Sequence, residues 1–185
     1  MFGSRFFLFT FFVFGWLGCA STASSGGRGR ELRELASSFE RVRLEVRGEL
    51  EKLQNVVGGE EFRESLKRFQ GSIGRLREVF EKVRKSSEVL FEEEAEKAQR
   101  VESPNIRRQA KENVAVERNN YNRSAKRTGH KILRIEKHLK RLEKALDKVK
   151  GDQVKETLSQ IGVLLEEAGE FVEITRALSE KFSGK

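Results

Sequence analysis

Cysteine, proline, histidine and every aromatic but phenylalanine are scarce in this 185-residue chain, which holds one Cys, one Pro, one Trp, one Tyr and two His. A single Cys excludes a disulfide framework, and any Cys-based zinc or iron–sulfur centre within one chain. The two histidines, His130 and His138, have Arg127 and Ile135 three residues before them. The Glu-x-x-His signature of carboxylate-bridged di-iron bundles is therefore missing. No GxGxxG, phosphate loop or HExxH occurs. Glu92, Glu93 and Glu94 are consecutive, so on a helix they point about 100° apart and cannot converge on one substrate atom. They read as a solvated run facing Arg107, Arg108 or Lys111 across a hairpin. No catalytic, cofactor-binding or metal residue is assigned, no cofactor is expected, and an enzyme is disfavoured.

What is present begins with a phenylalanine-rich leader. Residues 1–18 contain 7 of the 14 Phe and the single Trp. Arg5 gives a short positive start, and Phe6 to Leu17 an apolar stretch below the ~20 residues that a bilayer span needs. Leu17-Gly18-Cys19, followed by Ala20-Ser21, resembles the lipobox of bacterial lipoproteins, with Trp16 where a small aliphatic residue is usual. That resemblance implies diacylglyceryl attachment to the Cys19 thiol and cleavage just before it. Acyl chains anchor firmly, at about 0.8 kcal/mol per buried CH₂. Ala20 after the Cys implies the outer membrane, facing the periplasm. Ser21-Thr22-Ala23 offers an alternative: ordinary signal cleavage after Ala23, releasing a soluble periplasmic binding or chaperone-like protein.

Residues 19–30, rich in Ser and Gly, read as a flexible tether. Beyond it an apolar stripe recurs at steps of three and four. Leu32, Leu35, Phe39, Val42, Val46, Leu50, Leu53 and Val57 define a helix over about 31–57, stopped at Gly58-Gly59. Phe62, Leu66, Phe69, Ile73, Leu76, Phe80, Val83 and Leu90 define a second over about 60–102, with Ser87 as a polar interruption. Ser103-Pro104 starts a third, about 104–150. Its seam is small or polar at Val114, Arg118, Tyr121, Ala125 and Thr128. It strengthens at Ile132, Ile135, Leu139, Leu142, Leu146 and Val149. Val154, Leu158, Ile161, Leu165, Ala168, Val172, Thr175 and Leu178 mark a fourth, about 152–182. The pattern predicts an all-α, extended antiparallel helical bundle or coiled coil over 31–185. Unequal helix lengths predict a projecting two-helix tip over roughly 88–126. A homo-oligomer in which tips pair with other chains stays open.

Charge is uneven along these helices. The chain has 37 Lys plus Arg against 29 Asp plus Glu, a net +8. Residues 101–150 hold 15 basic and 6 acidic groups, whereas 151–185 hold 4 and 7. Arg127, Arg134, Arg141 and Lys148 recur every seven residues, beside a row of Arg123, His130, Lys137 and Lys144. Both rows face away from the seam. They read either as a solvated face partly neutralised by Glu166, Glu167, Glu170 and Glu173, or as a stripe for an anionic envelope partner: lipid headgroups, cell-wall polymer or an acidic protein. Nucleic acid is not expected, because only Tyr121 interleaves with the bases.

The order from Leu53 to Phe171 also resembles an uncharacterised family of helical bacterial envelope proteins, grouped as a domain of unknown function. The likeness rests on Val56-Val57-Gly58-Gly59, Leu90-Phe91-Glu92-Glu93, Ser103 to Arg108 and Arg118-Asn119-Asn120-Tyr121. It implies an all-helical fold and no activity. The expectation is a lipid-anchored envelope protein with a structural or interaction role.

Overall fold

The computed structural model describes residues 25–58, 60–145 and 151–183. Cys19, Leu146, Lys148 and Val149 lie outside the described residues. Five helices follow one another: α1 (Ser25–Asn55), α2 (Phe62–Gln99), α3 (Pro104–Ala145), α4 (Gly151–Ala168) and α5 (Glu170–Phe182). They form an all-α antiparallel bundle of four rods, the last being α4 and α5 joined at Gly169. α1 packs on α2 and on α4–α5, and α3 packs on the same two neighbours, so α1 and α3 sit on a diagonal.

The three-and-four periodicity explains this arrangement, because each rod turns one apolar stripe to the common axis. Every seam position named in α2 and in α4–α5 is buried, and Ser87 joins them by donating to the Val83 carbonyl at 2.8 Å. Gly58, with φ of 87°, makes the turn after α1 in the left-handed conformation that the Gly-Gly pair led us to expect. Pro104 opens α3, where its missing N–H costs nothing, and the Arg107 N–H donates to the Ser103 carbonyl at 2.8 Å.

Three features depart from the sequence reading. The first is the tether, whose residues 25–30 are the first turns of α1. Gly29 is buried against α5, where a Cβ would fall 2.9 Å from the Ser179 carbonyl oxygen and 3.0 Å from Ser183 Cα. A glycine that composition marks as spacer is thus a close-approach residue. Arg28 fastens the same turn, to Glu31 at 2.8 Å and to Glu93 of α2 at 3.1 Å.

The second departure follows from the first. Because α1 starts early, and α5 reaches Lys181 beside Glu117 and Phe182 beside Phe91, four rods enclose both shoulders of the expected tip. Only residues of about 94–116 project. The seam from Tyr121 to Thr128 consequently lines a thick core. Tyr121 fills it, with its ring 5.7 Å from Phe91 and 5.6 Å from Phe171. Phe171 in turn lies 5.6 Å from Phe39 and 5.2 Å from Phe80, so one aromatic chain ties α1, α2, α3 and α5 together. Such pairs add about 0.5–1.5 kcal/mol each beyond simple burial. The Tyr121 hydroxyl is buried without a well-formed hydrogen bond. Burial pushes its pKa up, an effect that the nearby Ser87 and Thr175 hydroxyls offset only in part.

The third departure is the break in the last rod. The Gly169 N–H donates to the Glu166 carbonyl at 2.9 Å, and the Val172 N–H to the Gly169 carbonyl at 3.0 Å. These tight bonds deprive the Leu165 carbonyl of its usual helical donor. Arg43 of α1 replaces it, donating from Nη1 at 3.2 Å, while Nε and Nη2 bind the Glu40 carboxylate at 2.9 and 2.8 Å. Gly169 leaves room for this, since a Cβ would lie 3.1 Å from Arg43 Cζ. The guanidinium is buried and its donors are well used, so the charge is compensated where it sits.

Removing Arg43 strands both the Glu40 carboxylate and a helix carbonyl. Arg43→Ala should destabilise the fold by about 2–4 kcal/mol in urea unfolding, against under ~0.5 kcal/mol for exposed Arg41→Ala. The hydrogen bond from Arg43 holds the Glu40 pKa below its ordinary range. Its stabilisation is therefore complete above the ordinary glutamate pKa and fades as pH falls through the depressed folded value. Unfolding at acid pH should show that loss in the native chain and lose it in Arg43→Ala.

Candidate functional site

The outward side of α3 is the most singular surface of the molecule. α3 meets α2 along one flank and α4–α5 along the other, which leaves the side opposite its seam to solvent. Arg123, Arg127, Arg134, Lys137, Arg141 and Lys144 all lie there and all are exposed, as is His130. At 1.5 Å per residue the ridge from Arg123 to Lys144 is about 32 Å long. Lys126 and the 44 % exposed Leu133 belong to it as well. The heptad rows did not contain them, because each sits one position beside a row.

The acids of α3 explain why this ridge is one-signed. Glu136 faces α2 and pairs with Arg77 at 3.2 Å, Glu143 accepts from Gln70 at 3.4 Å, and Glu117 pairs with Lys181. Helical spacing places all three on the flanks that touch neighbouring rods. From Arg123 to Lys144 no acid remains on the outward side.

The neutralising partners expected on the last rod are engaged elsewhere. Glu166 pairs with Arg47 and Arg43, and Glu173 with Arg176 at 3.0 Å. Glu167 and Glu170 both take Lys131, at 3.3 and 3.9 Å. Arg123 donates to Asn120 Oδ1 at 2.7 Å, and among the described residues no carboxylate pairs with Arg127, Arg134, Lys137, Arg141 or Lys144. Successive cations at i and i+4 stand about 6 Å apart, inside the ~8 Å Debye length, so their fields add.

The acidic run of α2 is arranged differently from the sequence reading too. Glu93 binds Arg28 and Glu94 binds Lys97, while Arg107 turns back to the Val101 and Glu102 carbonyls at 2.7 and 3.0 Å. Glu93 therefore fastens α1 to α2 and Glu94 pairs within α2, so neither bridges the hairpin.

His138 reports on the ridge. It sits half-buried at one edge, a helical turn from both Arg134 and Arg141. Burial, then the Arg141 and Arg134 charges, lowers its pKa. A shallow groove of about 330 Å³ between α2 and α3, lined by Ile73, Gly74 and Leu139, is crossed by the Arg77–Glu136 pair. Among the described residues no three His, Cys, Asp or Glu side chains come together to hold a metal ion. No helix among them is long and apolar enough to cross a membrane. No family model, curated protein or solved structure matches the chain.

An unneutralised ridge has a direct spectroscopic consequence. Arg134→Gln with Arg141→Gln should raise the His138 pKa part of the way to its ordinary value, followed by NMR titration. Added salt should do the same in the native chain. An unchanged pKa in both would mean that burial alone sets it.

Proposed function

We propose that this protein is a lipid-anchored component of the bacterial outer membrane, facing the periplasm, with a structural or interaction role. Cys19 carries the lipid, and the α3 ridge meets an anionic envelope partner. One observation carries the interaction reading: six arginines and lysines are exposed on one side of α3 with no carboxylate partner among the described residues. A cation on a merely solvated face has nothing to exclude nearby acids, yet every α3 acid between Arg118 and Lys144 lies on a flank. Arginine in four of the six places suits planar oxyanions such as carboxylate and phosphate. The anchor rests on Leu17-Gly18-Cys19 after a short apolar leader. The resemblance to helical envelope proteins agrees with this reading and adds no activity.

Two experiments test the two halves. Labelled fatty acid should enter the native chain and not Cys19→Ala, and the native protein should fractionate with outer membranes. Recovery of a soluble, unlabelled protein beginning at Ser24 would instead establish release after Ala23. For the ridge, a photoreactive residue in place of Lys137 should give salt-suppressible adducts in intact cells. Arg127→Glu, Arg134→Glu and Arg141→Glu together should abolish those adducts with helicity unchanged. At about 1 kcal/mol per well-placed cation, the triple change should weaken binding by about 100-fold or more. Adducts that ignore both salt and the triple change would sink the reading.

A further inference from the structure

The projecting end of the α2–α3 hairpin has a composition and a position that the α3 ridge does not share. Ile106 is 59 % exposed, more than any other large apolar side chain among the described residues. It falls on the side of α3 that carries Glu117 and Lys131, the residues that bind α5 and α4. Ile106 therefore lies where the last rod would continue, past the end of α5 at Phe182. Around it, residues 94–116 hold Lys97, Arg100, Arg107, Arg108 and Lys111 against Glu94, Glu96, Glu102 and Glu112, with Lys97 paired to Glu94 and Arg100 to Glu96. Arg108 and Lys111 are exposed, with no carboxylate partner among the described residues.

The start of α1 lies at this same end. Arg28 binds Glu93, so Ser25 stands just below the point where the hairpin becomes free. The hairpin then extends about 10–15 Å further. Five residues lie between Cys19 and Ser25, a reach of about 20 Å at most. A lipid on Cys19 thus holds the body within a distance that the hairpin largely spans.

We infer that the α2–α3 tip is a membrane-contacting foot, in which Ile106 enters the headgroup–acyl boundary and Arg108 and Lys111 engage anionic lipid phosphates. This inference rests on the Cys19 anchor. An apolar side chain flanked by cations is the pattern that favours an interfacial position, where each part of the pattern finds its own layer. The contact would set the bundle upright, with two attachments to one surface at one end.

The test uses protein isolated from bacterial membranes and reconstituted in vesicles of phosphatidylglycerol and phosphatidylethanolamine. Cleavage before Cys19 removes Trp16, the single Trp of the sequence, so Ile106→Trp places a lone indole reporter at the tip. Its emission should be blue-shifted and quenched by bromine-bearing acyl chains several-fold more than that of Leu133→Trp on the ridge. Arg108→Glu with Lys111→Glu should reverse most of that quenching. A water-exposed, unquenched indole in protein that sediments with the vesicles overturns the foot and leaves the anchor standing. A blue shift without quenching means that protein covers the tip, and also overturns it. Protein that fails to sediment at all overturns both.

Discussion

Phe171 is the residue on which the four rods converge. Its ring meets Phe39 of α1, Phe80 of α2 and Tyr121 of α3, all within 5.6 Å between centroids. It stands two residues after Gly169, so its direction depends on the break between α4 and α5. That break frees the Leu165 carbonyl, and Arg43 of α1 satisfies it. A buried guanidinium thus satisfies the break, and the aromatic ring two residues beyond it closes the core.

Periodicity was enough to read the fold class and most of the core, because a two-sided helix leaves its record in apolar spacing. Leu32, Phe80, Ile135 and Leu158 are buried where the stripe places them. Phe171 and Phe91 were not legible, since each sits one position beside a seam residue and only a four-rod core makes that second row useful. Gly29 was misleading for a related reason. Gly-rich composition describes both a spacer and a close approach, and only the neighbouring Ser179 and Ser183 distinguish them. The tip was overestimated in consequence, because its length is the difference between two pairs of helix ends.

The candidate ridge was legible as two rows of cations, and its lack of neutralisation was not. Glu166, Glu167, Glu170 and Glu173 lie on a rod adjacent to α3, so sequence distance alone suggests that they face the ridge. In the bundle they serve Arg43, Arg47, Lys131 and Arg176, and only Lys131 belongs to α3. Pairing across a flank competes with pairing over a crest, and the flank wins because side chains there are already close and partly desolvated. The outward cations of α3 are left over from that competition.

Both ends of the ridge can be placed against the tip. Arg123 is one turn from Asn119 and lies near the level where α5 ends, since Lys181 reaches Glu117. Lys144 lies about 32 Å further along, at the end where α1 turns into α2. If the tip and the anchor share a membrane, the ridge cannot lie flat on that membrane, because it runs away from it along the bundle. Its anionic partner then has to be reached by standing off the bilayer, as a polymer or a protein in the space beyond. On that arrangement the two surfaces would address different partners: the tip, with its exposed isoleucine, suits an interface with an apolar layer, whereas the ridge, with one partly exposed leucine among its cations, suits an oxyanion surface in water.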